Sequence, residues 1–273
     1  MSSSDSISPT AHYTGQIWNR NGLSDPELST WQGRLMYAGI EPAMALSRLT
    51  GGPSLEPYLL ARHRAIDTLL ERSITDDGIS QVLEIAAGMS ARGLRFTRRH
   101  GDALDYIEAD LPAMAARKQA ALDRIGVTAG GPRVVAVDAL APGDLEALTA
   151  GLDPDRGLVV ITEGLTSYLT PDALDGLWQR IAAIAAAFSK GRYLADVMPR
   201  SAGRSPLVRG GRLVLTAFVR GTVHMHFDDN DDIEAALRTA GFTSASVLPA
   251  HEIAPAAGGA ASLSLATIAD ARA

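Results

Sequence analysis

Residues 82–93, VLEIAAGMSARG, decide the fold of this chain. The mainly apolar residues 82–87 predict a buried strand, Gly88 predicts a turn, and a helical pattern follows near 91–100. A helix that begins directly after a strand presents free backbone N–H groups and a positive dipole end to a ligand. The stretch therefore predicts the first strand–turn–helix unit of an α/β domain, with a ligand site at its turn.

Short apolar runs alternate with helical patterns beyond this stretch. Strands are predicted at 82–87, 106–109, 134–137, 158–162, 193–197, 245–248 and 263–268, and helices at 91–100, 112–126, 143–150, 171–188 and 231–240. This alternation is typical of a parallel sheet covered by helices on both faces. The last two strands follow each other without a helix, which predicts a final hairpin with one antiparallel strand. The predicted fold class is a doubly wound α/β domain with a mainly parallel, seven-stranded sheet.

The residues before this sheet have a different character. Residues 1–10 are polar and predict a tail, while residues 55–74 predict an amphipathic helix. Aromatic residues concentrate between the two, which predicts a helical cap with an aromatic core: His12, Tyr13, Trp18, Trp31 and Tyr37. We therefore expect a tail and cap, or lid, over 1–75 and one sheet domain over 76–273.

Composition limits the function classes. The chain has 273 residues, a net charge of -6 and no cysteine. The absent thiols exclude disulfides, thiolate metal sites and cysteine nucleophiles, and the acidic balance argues against nucleic-acid or anionic-membrane partners. No secretory signal pattern precedes the cap, and the longest apolar run, 181–188, is too short to span a bilayer. We expect a cytoplasmic protein that acts on a small molecule. The sequence leaves its oligomeric state open, and a homodimer is compatible with it.

Acidic residues stand at the ends of four successive predicted strands: Glu84, Asp110, Asp138 and Glu163. Ligands of doubly wound sheets bind outside the carboxyl ends of the strands. Asp110, about twenty residues beyond the glycine turn, can accept hydrogen bonds from both hydroxyls of a ribose. Because carboxylates repel phosphates and the full glycine-rich dinucleotide fingerprint is missing, a nucleoside is a better ligand than NAD.

Several motifs of the chain together resemble the leucine carboxyl methyltransferase family of S-adenosylmethionine-dependent enzymes. They are the Ala61-Arg62 pair, VLEIAAGMSARG at 82–93, EADLPAMAARK at 108–118, VVAVDAL at 134–140 and TEGLTSYL at 162–169. The family includes polyketide-tailoring carboxyl O-methyltransferases similar to the tetracenomycin type. The resemblance implies a Rossmann-like fold, S-adenosyl-L-methionine as cofactor, a methyltransferase domain over 76–273, and methylation of a small-molecule carboxylate to a methyl ester.

The resemblance also implies the contacts of the methionine part of the cofactor. Arg62 would bind its carboxylate, Gly88 would lie beneath it, and Glu163 would contact its amino group. Glu84 and Ala86 are included in the predicted cofactor site on this side.

The nucleoside part of the cofactor is assigned in the same way. Asp110 would bind the ribose diol, with Leu111 beside it, and Asp138 and Ala139 would flank the adenine. The chain departs from the usual methyltransferase turn at Ala86 and Ser90, where glycine is preferred, and Ser90 also replaces the family's usual acidic residue.

The chemistry of the acceptor is open between two classes. An ionised carboxylate needs no general base, whereas a phenol needs one, for which histidine is suited. The candidate catalytic residues are Tyr13, Tyr168 and His226, with His12 and His224 as further candidate bases. A third interpretation is a non-methylating member that binds the cofactor structurally and acts on a metabolite in the cap pocket.

Basic residues and metal-like spacings receive other interpretations. Arg92 matches an arginine of the family turn, with its role left open, and the run Arg92, Arg95, Arg98 and Arg99 predicts a solvated helix face. Arginines of the loop after the fifth strand are candidates to pair with a substrate carboxylate: Arg200, Arg204 and Arg209. The segment 224–232 imitates metal sites, but no metal is predicted, and residues 228–232 are interpreted as a helix cap.

Overall fold

One sheet organises the part of the chain that this computed structural model describes, residues 9–49, 55–127, 130–201, 224–254 and 266–273. Its strands are β1 (Gln81–Ile85), β2 (Asp105–Asp110), β3 (Arg133–Ala136), β4 (Leu158–Thr162), β5 (Gly191–Asp196), β6 (Ser244–Pro249) and β7 (Thr267–Arg272). Their order is β3-β2-β1-β4-β5-β7-β6, and β7 runs antiparallel to both of its neighbours. The mainly parallel seven-stranded sheet with an antiparallel last strand is thereby confirmed.

Helices cover both faces of the sheet. They are α1 (Pro9–Arg20), α2 (Trp31–Leu49), α3 (Leu55–Thr75), α4 (Arg92–His100), α5 (Pro112–Ile125), α6 (Asp144–Thr149), α7 (Pro171–Ala186), α8 (Asn230–Ala240) and α9 (Ala250–Ile253). Apolar residues of α3, α4, α5 and α9 pack on one face, and those of α6, α7 and α8 pack on the other. β1 and β4 are buried along their whole length because both faces are covered, which explains the apolar sequence of β4 and leaves Gln81 and Glu84 as buried polar residues of β1. None of the described helices is long and apolar enough to cross a membrane.

The N-terminal helices pack around an aromatic and aliphatic cluster. Tyr13 of α1 stacks on Tyr37 of α2 with ring centroids 6.2 Å apart, and Leu59 of α3 joins them. Trp31 differs from the expected core aromatics because it is 64% exposed on the outer side of α2. Helix α3 packs on the sheet through Ile66 and also on the cap, so it links both units. The boundary at residue 75 stays a prediction.

Two details near the C-terminus correct the sequence interpretation. The last strand was expected at 263–268, but β7 begins at Thr267, and residues 263–265 lie outside the described residues. Pairing with β5 and β6 sets this register, and such long-range partners are not encoded in a local apolar run. The short helix α9 also lies between β6 and β7, where no helix was expected. The helix cap expected at 228–232 is confirmed, since Asp229 accepts from the backbone N–H of Asp232 at 3.0 Å.

Candidate functional site

The crevice of the sheet opens where the strand order reverses, between the carboxyl ends of β1 and β4. The turn after β1 enters it with left-handed backbone at Ala86 (φ 55°) and Gly88 (φ 54°). Only Ala86 among the described non-glycine residues has a positive φ, and this conformation normally favours glycine. The hydroxyl of Ser90 accepts from the backbone N–H of Arg92 at 3.2 Å, which helps α4 to begin directly after the turn.

Asp110 ties this turn to the end of β2. Its Oδ2 accepts from the backbone N–H of Gly88 at 2.7 Å, and its Oδ1 accepts from that of Leu111 at 2.8 Å. Burial raises the pKa of Asp110, although both backbone hydrogen bonds oppose the shift. The structure therefore brings the predicted ribose-binding carboxylate into direct contact with the glycine turn.

The end of β3 continues the same side of the crevice. The backbone N–H of Val137 donates to the carbonyl oxygen of Asp110 at 2.8 Å. Asp138 follows with an exposed side chain, and its Oδ1 accepts from Leu140 N–H at 2.9 Å. Ala139 is half-buried beside it. The residues predicted for the nucleoside thus lie on adjacent strand ends.

Arg62 lies on the opposite side of the crevice, 8% exposed on α3. Its Nε donates to Glu163 Oε1 and its Nη1 to Asp196 Oδ2, both at 3.0 Å. Asp196 Oδ1 also accepts from Gly164 N–H at 2.6 Å. Gly164 has a φ of 71°, and a Cβ there would lie 3.0 Å from Arg62 Nη2, so glycine leaves room for the guanidinium. Asp196 was missed, although it ends β5 as the other acids end their strands.

Arg92 forms a buried ionic network beneath the turn. Its Nε and Nη1 lie 2.6 Å from Asp67 Oδ1 and Glu84 Oε1, and its Nη2 lies 2.5 Å from Glu163 Oε2. The prediction of a solvated face was wrong for Arg92, whose side chain is fully buried because α4 turns it toward these carboxylates. Arg95 is half-buried and lies 2.7 Å from Asp67 Oδ2, while Arg98 and Arg99 are exposed as expected.

Two carboxylates of this network, Glu84 and Glu163, have different surroundings. Glu84 is 1% exposed, and its Oε2 accepts from the hydroxyl of Tyr106 at 2.6 Å, so it supports the turn from below. Burial by itself would raise the pKa of Glu163, but contacts with His63, Arg92 and Arg62 hold that pKa well below its ordinary value. His63 and Asp67 of α3 were missed, since their helical spacing alone gave no signal.

The candidate acceptor-side residues fall into two groups. The segments that carry Tyr168 and His226 are joined by two hydrogen bonds. His226 Nε2 contacts the carbonyl oxygen of Thr166 at 3.2 Å, and the backbone N–H of His224 donates to the carbonyl oxygen of Ser167 at 2.8 Å. Tyr168 and His226 are therefore close to each other in the fold. Tyr13 belongs to the cluster of the cap and is 2% exposed. Burial lowers the pKa of His226.

The remaining candidates lie in the cap, on the surface or outside the described residues. His12 Nδ1 contacts Thr30 Oγ1 at 3.0 Å within the cap, and burial lowers its pKa. Arg200 is exposed and pairs with Asp228 at 2.9 Å, while Arg204 and Arg209 lie outside the described residues. Within the described ranges, no three His, Asp or Glu side chains come together as metal ligands.

A family model for leucine carboxyl methyltransferase matches residues 25–182, which is more than half of the chain. The chain therefore belongs to the leucine carboxyl methyltransferase family. Among its relatives, a Mycolicibacterium paratuberculosis protein assigned by name to the S-adenosyl-L-methionine-dependent methyltransferases is 34% identical over 130 residues, 47% of this chain and 40% of that protein. A Frankia alni protein with the same assignment is 35% identical over 135 residues, 48% of this chain and 46% of that protein. The chain thus aligns with less than half the length of either relative.

Solved structures share the fold at low sequence identity. A Thermobifida fusca protein described as a methyltransferase has a TM-score of 0.66 at 14% identity, covering 96% of this chain and 93% of that one. A protein of the DUF574 family from Streptomyces avermitilis has a TM-score of 0.64 at 13% identity, covering 96% of each chain. These similarities confirm a Rossmann-like architecture with N-terminal helices.

Proposed function

We propose that this protein is an S-adenosylmethionine-dependent O-methyltransferase that methylates a carboxylate of a small molecule, such as a polyketide-type metabolite. One observation carries the proposal: Arg62, the Gly88 turn and Asp110 surround the crevice where the strand order reverses. Membership of the leucine carboxyl methyltransferase family supports the carboxylate as acceptor.

The chemistry of these groups fits the cofactor. The carboxylate of Asp110 is suited to accept from the two ribose hydroxyls, and the guanidinium of Arg62 is suited to pair with the carboxylate of the methionine part. The positive φ values of Gly88 and Gly164 let a ligand approach the backbone closely on both sides of the crevice. Asp138 and Ala139 would border the adenine, and Leu111 would lie beside the ribose.

The protein's contribution to the reaction is binding, orientation and exclusion of water. When bound, S-adenosylmethionine supplies a methyl group on a positively charged sulfur, which an ionised carboxylate can attack without a metal or a base. Helix α1 covers the turn, since a Cβ on Gly15 would lie 3.4 Å from Met89 Cβ. The cap is thus suited to shield the crevice and to align an acceptor.

Calorimetry with S-adenosylhomocysteine tests the cofactor assignment. Asp110→Ala removes the acceptor for the ribose hydroxyls, so we expect affinity to fall at least about tenfold. Asp123→Ala is the matched control, because Asp123 is an exposed acid of α5 whose carboxylate accepts only from Gln119 in the described contacts. Absence of binding to the wild type would refute the proposal.

A phenolic acceptor is the second candidate, and the half-buried imidazole of His226 favours it. A lowered pKa keeps this ring neutral near pH 7, so it is able to take a proton from a phenol. The two candidates differ in their products, because a methyl ester hydrolyses in alkali and an aryl ether survives. His226→Ala should abolish phenol methylation but leave ester formation largely intact.

A further inference from the structure

Both ring nitrogens of His63, on α3 beside Arg62, make buried polar contacts. The residue is fully buried, its Nδ1 lies 2.8 Å from Glu163 Oε2, and its Nε2 lies 2.9 Å from Arg95 Nη2. A buried polar ring of this kind is retained where its hydrogen bonds fix the groups around it. The proposed methyl transfer assigns it no part, so its contacts call for another role.

The proton of the ring is assigned from its partners. A carboxylate only accepts, so the 2.8 Å contact with Glu163 Oε2 places the ring proton on Nδ1, and Nε2 then accepts from Arg95 Nη2. Nδ1 donates to Glu163 Oε2, the same oxygen that lies 2.5 Å from Arg92 Nη2. The 2.9 Å approach of Arg92 Nη2 to Nδ1 follows from this shared acceptor. His63 therefore acts as a donor that fixes one oxygen of Glu163.

Glu163 transmits this orientation to Arg62. Its second oxygen, Oε1, accepts from Arg62 Nε at 3.0 Å. With Oε2 bound to His63 and Arg92, the carboxylate is fixed in one rotamer, and its negative charge is drawn away from the guanidinium. Arg62, which also pairs with Asp196, is then better able to bind a third carboxylate, that of the cofactor.

The cap holds the histidine ring in place. Trp18 of α1 packs against His63 in a tilted arrangement, with ring centroids 4.7 Å apart and a 33° angle between the planes. Because α1 also lies against Met89 of the glycine turn, the position of the cap and the orientation of His63 are linked.

We propose that His63 is a positioning residue that orients Arg62, through Glu163, for the carboxylate of the cofactor. This inference rests on the proposed function. It predicts a selective effect: loss of His63 weakens ligands that carry the amino-acid part and spares ligands that carry only the nucleoside.

Calorimetry with two ligands tests this selectivity. S-adenosylhomocysteine carries the carboxylate, whereas 5′-methylthioadenosine has the same nucleoside and thioether sulfur without it. We expect His63→Leu to weaken S-adenosylhomocysteine at least about tenfold and 5′-methylthioadenosine less than about twofold. His63→Asn, whose amide N–H replaces the Nδ1 donor, should recover most of the loss. His100→Leu, on α4 and paired with Glu71, is the matched control.

The outcomes separate the alternatives. Equal weakening of both ligands by His63→Leu would indicate a general structural role and overturn the inference, as would unchanged binding. If the leucine variant does not fold, His63→Gln replaces it, since its amide reaches the Nε2 position and should bind S-adenosylhomocysteine more weakly than His63→Asn. Wild-type protein that binds neither ligand refutes the proposed function itself, whereas wild-type binding with no change in the variants refutes only the positioning role.

Discussion

Two buried glutamates lie on the same side of the sheet, one beneath each half of the candidate cofactor crevice. Glu163 has a 4% exposed side chain and is contacted by Arg62, Arg92 and His63. Glu108 has a 1% exposed side chain and faces a single cation, Lys118, whose Nζ lies 2.7 Å from Oε2. The two carboxylates are thus similarly buried, but three partners offset the burial of Glu163 and one cation offsets that of Glu108.

Their ionisation follows the number of partners. The pKa of Glu163 lies well below its ordinary value, because its three partners outweigh the cost of burial. Burial raises the pKa of Glu108 to about 7, with Lys118 opposing the shift and the neighbouring Glu84 adding to it. Glu84 pairs with Glu108 across β1 and β2, so the two acids are side by side. A buried carboxylate therefore stays charged only where several donors converge on it.

Replacing each glutamate by glutamine gives the largest expected difference in stability between the two sites. Glu163→Gln leaves Arg62 and Arg92 with less compensation in a buried place, so we expect a loss of about 3–5 kcal/mol in the free energy of unfolding at pH 7. Glu108→Gln should cost less than half as much, because Glu108 is already partly protonated there. Urea denaturation measures both. Glu71→Gln is the control, since Glu71 pairs with the exposed Arg99 and should cost under about 0.5 kcal/mol. Similar losses at 163 and 108 would contradict the contrast.

The pH dependence of stability separates the two acids by sign. Glu108 has a raised pKa in the folded state, so its contribution to stability is complete below about pH 4.5 and is lost as the pH rises through about 7. Glu163 has a lowered pKa, so its contribution is present above about pH 4.5 and is lost on acidification.

Glu108→Gln should therefore gain stability relative to the wild type as the pH rises from 4.5 to 7.5, by up to about 3 kcal/mol. Urea midpoints measured at intervals over this range give the difference curve, in which the other titrating groups cancel. A flat difference would mean that Glu108 keeps its charge throughout, with Lys118 alone sufficient to hold it.

Much of the fold could be predicted from the sequence, and so could Glu163 as a site residue, whereas Glu108 could not. The alternating apolar and helical patterns located the strands to within about two residues, apart from β7, because burial of both sheet faces imposes them locally. Asp110 and Glu163 were found as strand-end acids for the same reason. His63, Asp67 and Arg92 were not recognised as a network, since their partners come from segments up to 100 residues away. Which charged side chain turns inward depends on such partners and not on helical spacing.

The turn after β1, which lies between Glu108 and Glu163, gives the smallest expected change in the free energy of unfolding. It tests whether the backbone between the two acids is strained. Ala86 has a φ of 55°, a conformation that costs a residue with a Cβ about 1–2 kcal/mol, while glycine in a folded chain costs about 0.5–1 kcal/mol in entropy. We expect Ala86→Gly to stabilise the protein by up to about 1 kcal/mol in urea denaturation. The adjacent Ala87→Gly is the matched control, because Ala87 has no positive φ and is buried, so it should lose stability. A gain in stability for Ala86→Gly together with a loss for Ala87→Gly would locate the backbone strain at Ala86. Equal losses would mean that the turn tolerates alanine without strain, and that its geometry is held by the Gly88 bond to Asp110 alone.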